Sequence, residues 1–248
     1  MKIKLQPKLR ATLALITTTA AVAFAAQSTA AEPTLLFTET FTNTALGTAN
    51  QNLAALGWHA YGGPEAAGLS NVKGADLNTA LIAAAPGNPS DTKGFLALIL
   101  SNRRPSWPAY AVVKTDLNLT LPKDAPVAIT WRMNGAPGST VRVRLLVQIA
   151  GLWYASDTSD TNKEYYEPTH QGTGADFAAA DEKAVLKTHT FTRDALDWRT
   201  LTLDPNKTLQ LGDTTPSDLS ANAPITGIGF HITGGSTGRI DTLEIRTK

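Results

Sequence analysis

The chain has 248 residues, no Cys, 42% hydrophobic and 17% charged residues. That length suits one all-β domain or two small ones, and the hydrophobic share excludes a largely disordered chain. The absence of Cys excludes thiol catalysis, zinc–thiolate centres and disulfide support, and the formal charge of +1 changes once the N-terminus is considered.

Lys2, Lys4, Lys8 and Arg10 form a positive start, Ala11 to Ala26 follows without a charge, and small residues end it at Ser28-Thr29-Ala30-Ala31. This is the layout of a secretory signal peptide, and the uncharged stretch is shorter than the ~20 residues of a membrane span. Residues 1–31 are therefore read as an export signal and 32–248 as the mature, single domain, secreted or periplasmic. Four basic residues leave with the signal, so the 22 basic residues become 18 against 21 acidic, a net −3. Nucleic acid is not an expected partner of such a chain, and no later stretch is apolar enough to span a membrane.

Strands are then predicted in order, Phe95–Leu100 as a fully buried run apolar on both faces and the others by their patterning: Leu35–Phe41, Phe95–Leu100, Leu117–Leu121, Val127–Met133, Val141–Ile149, Val185–Phe191, Trp198–Leu203, Ile225–Ile232 and Arg239–Arg246. In the fifth, Val141, Val143, Leu145, Val147 and Ile149 share one face, opposite Arg142, Arg144 and Gln148. Turn residues punctuate these runs at Pro86 to Pro89, Asn134 to Ser139, Asp204 to Asn206 and Gly234-Gly235. Asn134 to Ser139 reads as a hairpin loop. Helical signal is confined to Asp176–Leu186 and one turn at Leu53–Leu56. Nine strands without a linker predict an all-β fold, a two-sheet antiparallel β-sandwich of jelly-roll type with at most two short helices.

Four stretches carry a family likeness: Thr38-Glu39-Thr40-Phe41, Gly57-Trp58, Gly151-Leu152-Trp153-Tyr154-Ala155-Ser156 and Ile240-Asp241-Thr242-Leu243-Glu244-Ile245. Together they resemble secreted bacterial jelly-roll modules of the concanavalin-like or galactose-binding-like type, which include many carbohydrate-binding modules. The resemblance spans most of the mature chain. It implies a glycan-binding role, neighbouring first and last strands, and a structural Ca²⁺ held by acidic residues there. Alternation puts Glu39 on a face with Leu35, Phe37 and Phe41, and Asp241 on a face with Leu243 and Ile245, so both carboxylates point coreward, where an isolated charge is costly. The resemblance thus assigns a calcium to Glu39 and Asp241. The alternative is a carboxylate paired with Arg239 or held by backbone N–H groups.

Arg132, Arg142, Arg144 and Gln148 lie on the polar faces of two strands read as paired, which gathers them on one sheet surface. Guanidinium groups grip carboxylates and sulfates bidentately, and the resemblance makes one sheet face a glycan platform. These four residues, with Trp107, Tyr165 and Tyr166 as aromatic contacts from loops, are the candidate ligand-binding set for an acidic polysaccharide or another extracellular glycan. The bland reading is an ordinary solvated face. Trp131, in register with Val127 and Ile129, is read as core; Trp58 and Trp153 read equally well as core or as contacts.

Catalytic motifs are absent. His59, His170, His189 and His231 lack metal-ligand spacing, and no Gly-x-Ser-x-Gly or phosphate-binding loop is present. No catalytic residue is therefore assigned. The enzymatic alternative is a jelly-roll polysaccharide lyase with Arg144, Gln148, a Tyr and a His231 on the wet face. The Gln-Ile-His motif of one lyase family, however, reads Gln148-Ile149-Ala150 here. A structural or adhesive surface protein is the third reading.

Overall fold

Alternating Val, Ile and Trp side chains favour a pleat, where β-branched and aromatic groups pack without the crowding of a helical turn. The computed structural model describes residues 32–41, 56–63, 80–82, 95–100, 109–122, 125–169, 185–203, 209–212, 216, 219–220 and 222–248. Its strands are β1 (Leu35–Glu39), β2 (Trp58–Gly63), β3 (Ala80–Ile82), β4 (Phe95–Leu100), β5 (Ala109–Lys114), β6 (Val127–Gly135), β7 (Arg142–Ile149), β8 (Leu152–Ser156), β9 (Val185–Phe191), β10 (Trp198–Leu203), β11 (Leu209–Leu211), β12 (Ile225–Thr233) and β13 (Ser236–Thr247). All lie in the unit Pro33–Lys248, which is distinct from Met1–Glu32. No helix among the described residues is long and apolar enough to cross a membrane.

The strands form two antiparallel sheets. One runs β3-β4-β13-β6-β9, with β1 also on β13; the other runs β11-β10-β8-β7-β12-β5-β2. Along one edge of β13, β4 pairs with its first half and β1 with its last, so the first and last strands are neighbours. The inward faces share one core. Ile129, Trp131 and Met133 of β6 and Ile240, Leu243 and Ile245 of β13 meet Val143, Leu145 and Val147 of β7 and Ile228, Phe230 and Ile232 of β12. Two layers closing on one apolar interior make a sandwich, consistent with a jelly roll.

Three sequence expectations need correction. The run 117–121 is not a strand: Leu119 makes a single bridge to Ile225, after Asp116 turns the backbone at φ 62°. Asn134 to Ser139 is not a hairpin loop. β6 pairs with β13 and β9, and β7 with β12 and β8, so this connection carries the chain from one sheet to the other. Alternation reports which residues face a core, but not which sheet they come from. Third, Asp241 does not share a face with Leu243 and Ile245. The register of β13 shifts between Asp241 and Glu244, with Thr242 at φ 47°. This bulge puts Ile240, Leu243 and Ile245 together in the core and turns Asp241 to the outer face, opposite Arg132. Of the predicted helices, residues 176–184 and 53–55 lie outside the described residues, while Val185-Leu186 begin β9 and Leu56 sits in a turn.

Both carboxylates that the sequence marked are compensated by cations. Glu39 Oε2 accepts from Lys114 Nζ at 2.8 Å and from Trp58 Nε1 at 3.1 Å, and Oε1 accepts from Phe41 N at 3.0 Å. Glu39 belongs to one sheet, and Trp58 and Lys114, register partners on β2 and β5, to the other. The cluster therefore clasps the two sheets together. Lys114 Nζ also donates to Leu56 O at 2.7 Å, fixing the approach to β2. Asp241 Oδ2 accepts from Arg239 Nη2 at 2.9 Å and Oδ1 from Thr242 N at 2.8 Å, both side chains being fully buried. A buried charge matched by an opposite charge and an amide needs no metal to be tolerated. Replacing Lys114 with Met leaves Glu39 charged and unmatched against Trp58, and should cost about 3 kcal/mol in urea unfolding. Unaltered stability in the variant contradicts the clasp.

Candidate functional site

The second face of β7 carries Arg142, Arg144, Leu146 and Gln148, pointing away from the shared core because the side-chain period is two. Around it the same face presents Ala109, Ala111 and Val113 of β5, Gly227, Gly229 and His231 of β12, and Trp153 and Ala155 of β8. The end strands β2 and β11 contact one another, so the sheet curls around this face. Leu146, Trp153, Leu201 and Leu209 form a second buried apolar cluster there, joined by Tyr61 and Leu211 from the two edges. The small residues make the curl feasible. A Cβ on Gly227 would stand 2.7 Å from Trp153 Cη2, so the indole lies across β12 only where glycine leaves the space.

Strand register sets four residues in a row across this face: Tyr61, Ala111, His231 and Arg144. Arg144 and His231 are each 1% exposed. Arg144 Nη1 donates to Ser156 O at 2.7 Å and Asp157 Oδ1 at 3.1 Å, and Nη2 lies 3.3 Å from Glu164 Oε2. Arg199 pairs with the same Asp157 and Glu164. Over this network lies the Tyr165 ring, 4.2 Å from the Arg144 guanidinium carbon and 4.6 Å from that of Arg142. Two cations over one aromatic ring are attracted by its quadrupole. Arg142 is exposed and its Nε donates to Thr233 Oγ1 at 3.1 Å. It also borders a cleft of about 470 Å³ shared with Thr140, Glu167 and Pro168.

Three nitrogens in this row are buried without a hydrogen-bond partner among the described residues: Arg144 Nε, His231 Nδ1 and His231 Nε2. Burial, and secondarily the Arg144 charge, hold the His231 pKa down at about 4, so the imidazole is neutral at pH 7. A neutral imidazole offers one donor and one acceptor. Together with the guanidinium N–H, the pair presents two donors and one acceptor at adjacent strand positions.

The sequence-predicted residues divide. Arg142, Arg144 and Gln148 share one face as expected, and Gln148 Oε1 accepts from Thr226 Oγ1 at 3.0 Å. Arg132 does not join them, because β6 is in the other sheet. Tyr165 covers the arginines. Tyr166 is a core residue, 1% exposed, with its ring edge-on to Trp131 at 4.6 Å; consecutive residues of an extended bridge face opposite ways, so only one of the pair can be outward. Trp107 lies outside the described residues. Trp58 and Trp153 are both buried. His231 is not on a wet face, because the curl of the sheet encloses it.

A second polar grouping escaped the sequence. Tyr166 Oη lies 2.8 Å from His189 Nδ1, and the imidazole packs against Trp198 at 5.1 Å between ring centroids. Burial dominates at both. It raises the Tyr166 pKa, helped by Asp160, and lowers that of His189 to about 4 against the pull of Asp197. The signal was present as Lys187, His189 and Phe191 alternating inward on β9.

No protein-family model matches the chain, and no curated protein does. Among solved structures it is similar to the CBM22-1 xylan-binding domain of Paenibacillus barcinonensis Xyn10C, at 11% identity over 86% of this chain and 94% of that one, with a TM-score of 0.36. It is similar to a family 11 carbohydrate-binding module from Clostridium thermocellum, solved with a mixed-linked tetrasaccharide, at 13% identity over 77% and 88%, TM-score 0.35. The K1 cleaved adhesin domain of Lys-gingipain from Porphyromonas gingivalis W83 follows at 14% identity over 86% and 96%, TM-score 0.29. Scores this low carry no argument about this chain, whose architecture rests on its own strand order.

The two neutral histidines make stability depend on pH. Each has a folded pKa of about 4 below the unfolded value near 6.5, so between these values the unfolded chain binds more protons. Stability is therefore complete above about pH 6.5 and falls as pH drops, by roughly 2 kcal/mol per histidine on reaching pH 5. Urea midpoints across pH 7 to 5 should decline for the wild type and stay flatter in a His189→Gln, His231→Gln double variant. Equal slopes would contradict the assignment.

Proposed function

We propose that the protein binds polysaccharide, without chemistry, at the rim of the curled face, where Arg142 is exposed and the half-buried Tyr165 ring lies against it, and that it favours acidic polymers. The observation that carries this reading is the exposed Arg142 guanidinium, 4.6 Å from the half-buried Tyr165 ring and bordering a cleft of about 470 Å³. The ring is a flat apolar surface against which a pyranose C–H face packs. Arg144, buried beneath the same ring, holds it in place.

The preference for acid rests on Arg142, since Arg144 and Arg199 are already matched by Asp157 and Glu164. Arg142 is the exposed one, offering its guanidinium to a carboxylate or sulfate. An export signal at residues 1–31 would bring this face to extracellular polymers.

Calorimetric titration with a polyuronate and with a neutral β-glucan tests the reading. The polyuronate should bind, Arg144→Met should weaken it at least tenfold, and Arg142→Ala should weaken it about threefold while flattening its dependence on salt. Absence of binding to both polymers sinks the proposal, and equal affinity for the two removes the preference for acid.

A further inference from the structure

Away from the curled face, the loop after β8 and the edge strand β9 enclose a cleft of about 320 Å³ that includes Asp160, Asn162, Thr190, His189 and Asp197. Ser159 organises its floor, its Oγ accepting from the backbone N–H of Thr161 and Lys163 at 3.3 Å. Two carboxylates line this cleft and no Lys or Arg does, with one ammonium, Lys248 Nζ, reaching its edge at Thr190 Oγ1, 2.6 Å away. His189 adds no positive charge, because its imidazole is neutral. An independent sign comes from His189 itself: 5% exposed, it forms part of the wall, Nδ1 is engaged by Tyr166, and Nε2 has no partner among the described residues. The remaining lining is hydroxyl and amide. Such a surface repels anions and offers acceptors to a cation, with hydroxyl partners around it.

From this we infer a second binding site, which takes a single amino-sugar residue through its ammonium and ring hydroxyls. The carboxylates of Asp160 and Asp197 match the ammonium, while Asn162, the Thr158 and Thr188 hydroxyls and His189 Nε2 match the ring hydroxyls. A volume at the lower end of ligand pockets admits one ring rather than a chain. The site is independent of the curled face, since the two share no residue and prefer opposite charge.

Titrating the protein with glucosamine, glucose and glucuronate at pH 6.5, followed by amide ¹H–¹⁵N spectra, tests this. Glucosamine should shift the resonances of residues 188–192 and bind at least tenfold more tightly than glucose, and glucuronate should not bind. Asp160→Asn, at an exposed position, should weaken glucosamine at least tenfold, and Asp197→Asn likewise. Arg142→Ala should leave glucosamine binding unchanged, which separates this site from the curled face. Equal binding of glucose and glucosamine, retention in both aspartate variants, or no binding of glucosamine overturns the inference.

Discussion

Everything in this fold follows from the two-sidedness of β7. One face supplies Val143, Leu145 and Val147 to the core between the sheets, and the other supplies Arg142, Arg144 and Gln148. Pairing with β12 fixes what stands beside each of them, and it places Arg144 opposite His231. A slip of one residue would drive the arginines into the core and the valines out of it, so the register cannot drift. The polar row on the curled face is thus pinned by the same hydrophobic burial that holds the sandwich together. No separate device is needed to position it.

Charge is handled in two ways in this molecule. At Glu39 and Asp241 each buried carboxylate meets a cation and an amide, and the first of these pairs also links the sheets. Such pairs hold a geometry more than they add net stability, because desolvation offsets much of the attraction. Along the row on β12 and β7 the matching is incomplete. Arg144 spends Nη1 and Nη2 on Ser156, Asp157 and Glu164, yet its Nε and the whole His231 imidazole stay unmatched among the described residues. Nitrogens of Trp131, Asn134 and His189 are also unmatched among the described residues, so incomplete matching extends beyond this row.

How much of this was legible beforehand depends on which physical signal each feature uses. Strands such as β9 and β10 were readable to the residue, since alternation is a local property. The shared face of Arg142, Arg144 and Gln148 was readable for the same reason. Arg132 was misplaced because nothing local says whether a Gly- and Pro-containing connection folds back or crosses between sheets. Asp241 was misplaced by a single bulge at Thr242, which reverses the parity of every residue beyond it. The pairing of Tyr166 with His189 was invisible because it joins positions 23 apart whose approach depends on the bridge between Val143 and Tyr166. His231 was read as wet because the curl of a sheet is a property of all seven strands at once.

The central claim, that Arg142 and Tyr165 meet a polysaccharide at the rim of the curled face, is tested most directly by guanidinium ¹⁵N spectroscopy of the protein with and without a polyuronate oligomer. The Arg142 Nε resonance should shift on binding, and the shift should be lost in Tyr165→Ala. Binding that leaves Arg142 Nε unmoved would contradict the claim.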